Sequence, residues 1–148
     1  MTKQTTNFLQ ALSNKLLAAP THKIIKGKGW AASFPKKAGV YIIRKKLELI
    51  YIGETGNIQG RLKDLCRTQN HTARRTIGTE QFASHAEYTK PSSKIRFCDN
   101  LEELLNQYFS KNLTIAFIEV ELGRKELEEM FFKEYKPIHN LKVARKTK

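Results

Sequence analysis

At 148 residues the chain has room for one domain with one real core, and an apolar content of 40%, with eight Phe, five Tyr and one Trp, excludes wholesale disorder. No apolar run approaches the roughly 18 residues of a membrane span, and residues 1–20 lack the long apolar stretch of a secretory signal. The net charge of +13, from 27 Lys and Arg against 14 Asp and Glu, favours an anionic partner, with nucleic acid first.

Taken in chain order, residues 6–18 read as a short amphipathic helix. Pro20, Gly27, Gly29 and Pro35 predict irregular backbone over 20–38, with Trp30 and Phe34 as anchors onto the core. Val40–Ile43 and Leu47–Ile52 are strand-forming runs of β-branched and aromatic residues, joined by a basic turn at 44–47. Period-2 alternation puts Tyr41 and Ile43 on one face and Ile42 on the other, and Tyr51 joins Tyr41 if the register allows. Asn57 caps a helix beginning at Ile58, with Ile58, Leu62 and Leu65 as its apolar stripe and Arg61 beside it. A second short helix is predicted at 71–77, opened by Asn70 and closed near Gly78. Residues 91–93 read as a loop and 94–98 as a short strand. Asp99 or Asn100 caps a helix to about Phe109, with Leu101, Leu104, Leu105 and Tyr108 at helical spacing. Leu113–Val120 is a strand, and Arg124–Tyr135 a last helix that Pro137 ends at or before Lys136. The fold class is α+β, a small antiparallel sheet wrapped by helices. Cys66 and Cys98 have neither disulfide-framework nor metal spacing and read as interior free thiols of a cytoplasmic protein.

Charge is segregated. Residues 22–46 carry eight Lys or Arg and no acid, residues 60–78 five against one, and residues 133–148 six against one. Residues 99–129 carry eight acids and three bases. A basic face and a less basic back follow; Lys63, Arg67, Arg74 and Arg75 are candidate nucleic-acid contacts on the basic face.

Four side chains are candidates for chemistry: Tyr41, Tyr51, Arg61 and Glu128. Each has a plain structural reading as well. The tyrosines are good strand residues, Arg61 suits a surface ion pair, and Glu128 lies on a charge-rich helix of mostly solvated acids. Glu128 neighbours Phe131 and Phe132 at helical spacing, which predicts partial burial at most, and periodicity alone does not choose it over Glu129.

These residues resemble the GIY-YIG nuclease superfamily. Gly39-Val40-Tyr41 is similar to its first motif and Tyr51-Ile52-Gly53 to its second. Arg61, ten residues beyond Tyr51 in GNIQGRL, stands where the family has a helix arginine. ELEEMFFKEYKPIHN resembles the family's last helix, with its metal-binding Glu at Glu128 and its Asn at Asn140, twelve residues later. The resemblance covers about residues 39–141. It implies a central three-stranded antiparallel sheet flanked by helices, with residues 1–38 as an N-terminal helix and basic extension packing on the core. Residues 39–148 would be the nuclease domain, with a family-specific segment at about 80–110.

What the resemblance implies chemically is a metal-dependent endonuclease acting on double-stranded or branched DNA. Glu128 would hold one Mg²⁺ or Mn²⁺, Arg61 would bind phosphate oxygens, and Tyr41 or Tyr51 would orient the attacking water and take its proton. Gly39, Gly53, Asn57 and Asn140 would support the site. Glu54 departs from the pattern, since many members have Ser or Lys there; an acid repels phosphate unless it points away or touches metal. His71 occupies a region where some relatives place a catalytic His, and spacing alone transfers no role to it. Two other classes compete: a catalytically inactive or weak nucleic-acid-binding module retaining the fold, and a protein-interaction domain with an incidental basic surface. No separate DNA-reading motif is evident.

Overall fold

The structure, a computed structural model, describes residues 2–27 and 29–140. The end of the basic run at 133–148 and of the expected nuclease domain therefore lies outside the described residues. The elements are α1 (Lys3–Leu17), β1 (His22–Lys23), β2 (Gly39–Lys45), β3 (Glu48–Thr55), α2 (Ile58–Asp64), a 3₁₀ turn (Thr68–Asn70), α3 (Thr72–Phe82), α4 (Asp99–Asn112), β4 (Leu113–Glu119) and α5 (Arg124–Tyr135).

Among the described residues the sheet has four antiparallel strands in the order β1-β4-β2-β3, one more than expected. The addition is the two-residue β1, paired as His22 with Ile115 and Lys23 with Thr114. β1 thus ties the segment after α1 into the sheet, and α1 packs with α5 on one of its faces.

Alternation sorts the core into two clusters. Tyr41, Ile43, Tyr51 and Ile115 face α2, α3 and α4, where they meet Ile58, Leu62, Ile77, Leu105 and Phe109. Val40, Ile42, Ile52 and Ile118 face α1 and α5, against Leu9, Leu16, Leu127 and Phe131. A bulge between Ile43 and Arg44 shifts the register, so Tyr51 pairs with Ile43 and lies on the Tyr41 face. Among the described residues no helix is long and apolar enough to cross a membrane.

Several local readings are corrected. α1 begins at Lys3 because Thr2 caps it, its hydroxyl accepting from the Thr5 N–H at 3.0 Å. α3 does not close at Gly78 but runs through it to Phe82. A Cβ at Gly78 would strike the Phe97 ring, so this glycine serves close packing and not termination. Residues 94–98 form no strand: Ser92 and Ile95 bond each other's backbone in a tight turn, and Phe97 is driven into the core, 1% exposed. Cys98, not Asp99 or Asn100, is the residue before α4, and Leu104 is exposed while Phe109 takes the buried position. Both cysteines are free, but Cys98 is exposed and not interior. Trp30 and Phe34 do anchor the 20–38 segment, and α5 spans the predicted residues.

Candidate functional site

The polar centre forms where β2, β3, α2 and the start of α3 meet. Tyr41 stands opposite Gly53, and its ring lies over that glycine so closely that any Cβ there would collide with it. Gly39 is equally forced, since a Cβ would meet the Ile118 carbonyl and the Ile58 side chain. The two motif glycines therefore let an aromatic ring and a helix close onto the sheet.

Tyr41 and Tyr51 lie with ring centroids 6.0 Å apart, and His71 stands against both, at 6.0 Å and 5.3 Å. His71 is fully buried and caps α3: its Nδ1 accepts from the Ala73 N–H at 3.0 Å. An Nδ1 that accepts carries no proton, so in the neutral ring the proton sits on Nε2. Nε2 lies 2.7 Å from the Tyr41 hydroxyl and therefore donates to it. Burial, with the charges of Arg61 and Arg75, holds the His71 pKa well below its ordinary value, so the ring stays neutral. His71, and not the predicted Asn70, therefore caps α3, and the same ring contacts the first motif tyrosine.

Asn57 caps α2, its side-chain oxygen accepting from the Gly60 N–H at 3.1 Å. Two further α2 amides are fixed by loop 35–37: Ile58 N–H donates to Lys37 O and Gln59 N–H to Pro35 O. On this pinned helix Arg61 donates to the Asn70 carbonyl at 2.9 Å and to Asp64 at 3.2 Å. It also interacts with both phenols. Burial works against its charge, but Tyr41, Tyr51 and Asp64 more than offset that and raise its pKa. Burial drives the Tyr41 phenol well above its ordinary pKa, with Tyr51 adding to the rise and Arg61 opposing it. Tyr51 is raised by burial and by the Glu128 charge, against the Arg61 charge, which lowers it. The hydrogen bond at the first motif tyrosine runs from His71 Nε2–H to the Tyr41 oxygen, and the Tyr41 ring lies against Tyr51.

Glu128 comes from α5, which packs along the edge strand β3. It is 6% exposed, more buried than its periodicity predicts, and its charge reaches Tyr51; Glu129 is exposed. The far end of the site is closed by 137–140. His139 N–H donates to Ile50 O, and the Asn140 side-chain amide bonds both the N–H and the carbonyl of Ile52, at 2.9 and 2.8 Å. Asn140 thereby acts as a strand partner for the edge of β3.

Other predicted residues sit elsewhere. Glu54 lies on the Val40 face, away from the tyrosines, and pairs with Arg124 at 3.1 Å. Arg74 is not a surface contact: it is 1% exposed, held by Thr68, the Leu65 carbonyl, Glu102 and Asn106. Arg75 is half-buried and donates to the Thr68 and Gln69 carbonyls and to the Thr72 hydroxyl. Lys63 and Arg67 are exposed. Sequence reasoning missed Asp64 and Asn70 as the holders of Arg61. The i,i+3 spacing of Asp64 was a usable signal; the Asn70 carbonyl had none.

For a cation, the site offers one buried carboxylate, and among the described residues no three His, Cys, Asp or Glu cluster as a metal cage. A hard ion that keeps several waters, Mg²⁺ or Mn²⁺, fits this donor set, whereas tetrahedral zinc does not.

A family model of the GIY-YIG catalytic domain matches residues 25–148. Comparison with curated proteins found no match. Among solved structures, the chain is similar to the GIY-YIG N-terminal endonuclease domain of UvrC from Thermotoga maritima. A point mutant of that domain bound to its catalytic divalent cation aligns at 18% identity and TM-score 0.42, over 90% of this chain and 98% of that one. The same domain bound to magnesium aligns at 18% identity and TM-score 0.42, over 95% and 100%.

Proposed function

Because the chain belongs to the GIY-YIG catalytic-domain family, we propose that it is a metal-dependent endonuclease that hydrolyses DNA phosphodiester bonds at the Tyr41, Tyr51, Arg61 and Glu128 centre. The observation that carries this reading is the convergence of those four side chains, from β2, β3, α2 and α5, with His71 behind them.

Arg61 is the phosphate-binding group. Its pinned, charged guanidinium retains N–H donors beyond those given to Asn70 and Asp64, and a planar fork suits phosphate oxygens. Of the two phenols, Tyr51 is the proton acceptor. An ordinary phenol, with a pKa near ~10, is a poor base at neutral pH. Burial and the Glu128 charge raise the Tyr51 phenol, so its anion depends on the opposing Arg61 charge and on a cation at Glu128, which would cancel that carboxylate's effect. Tyr41 is held behind Tyr51 by the His71 Nε2–H and serves as a positioning residue. Glu128 is the cation ligand. A divalent cation bound there would polarise the phosphate and relieve its developing charge. Glu54, spent on Arg124, adds no repulsion at the phosphate. Lys63 and Arg67 are proposed as exposed DNA contacts, and double-stranded or branched DNA as the substrate.

The test is incubation of the purified chain with plasmid, branched and flapped DNA in Mg²⁺ or Mn²⁺, with EDTA controls. Cleavage that EDTA abolishes is expected. Salt-sensitive binding with no cleavage of any of these substrates would replace this reading with that of a binding module.

A further inference from the structure

On the flank of α2 away from Arg61 the chain forms a groove of about 690 Å³, lined by Lys26, Lys36, Lys63, Arg67, Gln59 and Trp30, among others. The four cations are exposed, and none of the described residues lining the groove is acidic. A neighbouring groove of about 730 Å³ includes Asp99, Glu102 and Glu103, so the absence of acid is particular to the first.

Helical phase relates this groove to the centre. At about 100° per residue, with Ile58 and Leu62 inward, Arg61 falls on one side of the buried stripe and Gln59 and Lys63 on the other. One helix diameter, roughly 10–12 Å, separates the two. The groove is also rigid. Gln59 Nε2 donates to the Ala32 and Phe34 carbonyls, tying the Trp30 loop to α2. Trp30 is fixed by its Nε1–H, which donates to Lys23 O at 2.9 Å, and by edge-on packing against Phe34 at 5.2 Å. Its ring is half-buried and lines the groove.

We propose that this groove binds an unpaired nucleic-acid strand continuous with the substrate, with a base stacked on Trp30 and phosphates on Lys36, Lys63 and Arg67. A held aromatic among cations without acids is the combination that single strands use, because every base offers a π-face and every nucleotide a phosphate. Intact duplex offers phosphates but no unstacked base. The inference rests on the endonuclease reading for the identity of the polymer, and it narrows the substrate to DNA with an unpaired arm, flap or bulge.

Trp30 is the sole tryptophan, so its fluorescence reports on the groove. The full chain is titrated in EDTA with oligothymidylate, blunt duplex and inorganic polyphosphate at one ionic strength. Saturable quenching by oligothymidylate is expected, at roughly tenfold lower concentration than by either of the others. Trp30→Phe should weaken oligothymidylate binding at least about fivefold by anisotropy, and the Lys63→Ala/Arg67→Ala double variant about tenfold at low salt. No quenching, equal quenching by polyphosphate, or an unchanged double variant would overturn the proposal. If Trp30→Phe does not fold, the quench and the double variant still decide. Cleavage without quenching refutes the groove alone. Quenching in a chain that cleaves nothing refutes the endonuclease reading and leaves the groove standing.

Discussion

At the scale of single residues, the centre depends on who donates to whom. Glu128 is buried beside Tyr51 while Glu129 is exposed, since adjacent helix positions point about 100° apart. Glu128→Gln is expected to fold, keep most DNA binding and lose metal-supported cleavage, with Glu129→Gln near wild type; rates against Mg²⁺ and Mn²⁺ concentration, with circular dichroism, decide it. The reverse pattern would sink the assignment of Glu128. Arg61→Ala should lower single-turnover cleavage far more than binding, because an interaction tightened in the transition state changes rate without an equal change in affinity. Equal losses would recast Arg61 as a docking residue. His71 gives a pH signature. Its folded pKa is well below ordinary, so between about pH 6.5 and that lower value the unfolded chain binds a proton that the folded chain refuses. This contribution is full above about pH 6.5 and is lost as pH falls toward the folded value. The wild-type Tm should therefore drop more steeply from pH 7 to 5 than that of His71→Asn, which keeps a capping acceptor. His139, also lowered chiefly by burial, acts in both proteins, so the difference isolates His71. Parallel curves would show that His71 titrates as in the unfolded chain.

At the scale of elements, α3 illustrates how a basic run can be structural. Arg74 leaves the helix inward and ties it to the Thr68 turn and to α4 through Glu102, 2.8 Å away. Its guanidinium also lies 5.4 Å from the Phe109 ring centroid. Removing it leaves the partly buried Glu102 short of its counter-charge. Arg74→Ala should cost about 3–5 kcal/mol, read as a lower urea midpoint with unchanged m-value. A variant of wild-type stability and weakened DNA binding would return Arg74 to the surface. α5 and the 137–140 segment work the other way. Lys136 adopts a left-handed conformation with φ 46° and Pro137 follows, so the chain turns back and delivers Asn140 to the β3 edge.

At the scale of the whole molecule, the +13 charge becomes useful only where it is free. Arg61, Arg74, Arg75 and Arg124 are spent on internal partners in whole or part. Lys26, Lys36, Lys63 and Arg67 are exposed around one groove. Replacing Lys63 and Arg67 with Ala should weaken binding of DNA with an unpaired arm about equally for all sequences and shallow the slope of log K against log salt by up to roughly two. Unchanged salt dependence would place both off the DNA face.

The sequence by itself determined the α+β class, the hairpin, the last helix and the order of the motif residues, because period-2 and period-3.6 patterns and the Asn57 cap are local properties of the chain. It did not determine which arginines are free. Arg67, Arg74 and Arg75 are alike in a run of letters, and only the arrival of Glu102 and Asn106 from α4 separates the buried one. Nor did it reveal that His71 would face Tyr41, thirty positions away, or that Glu54 would find Arg124 across seventy. Those pairings follow from how the sheet register and the helix packing close in space, and a polar side chain's role is set by the partner that closure brings to it.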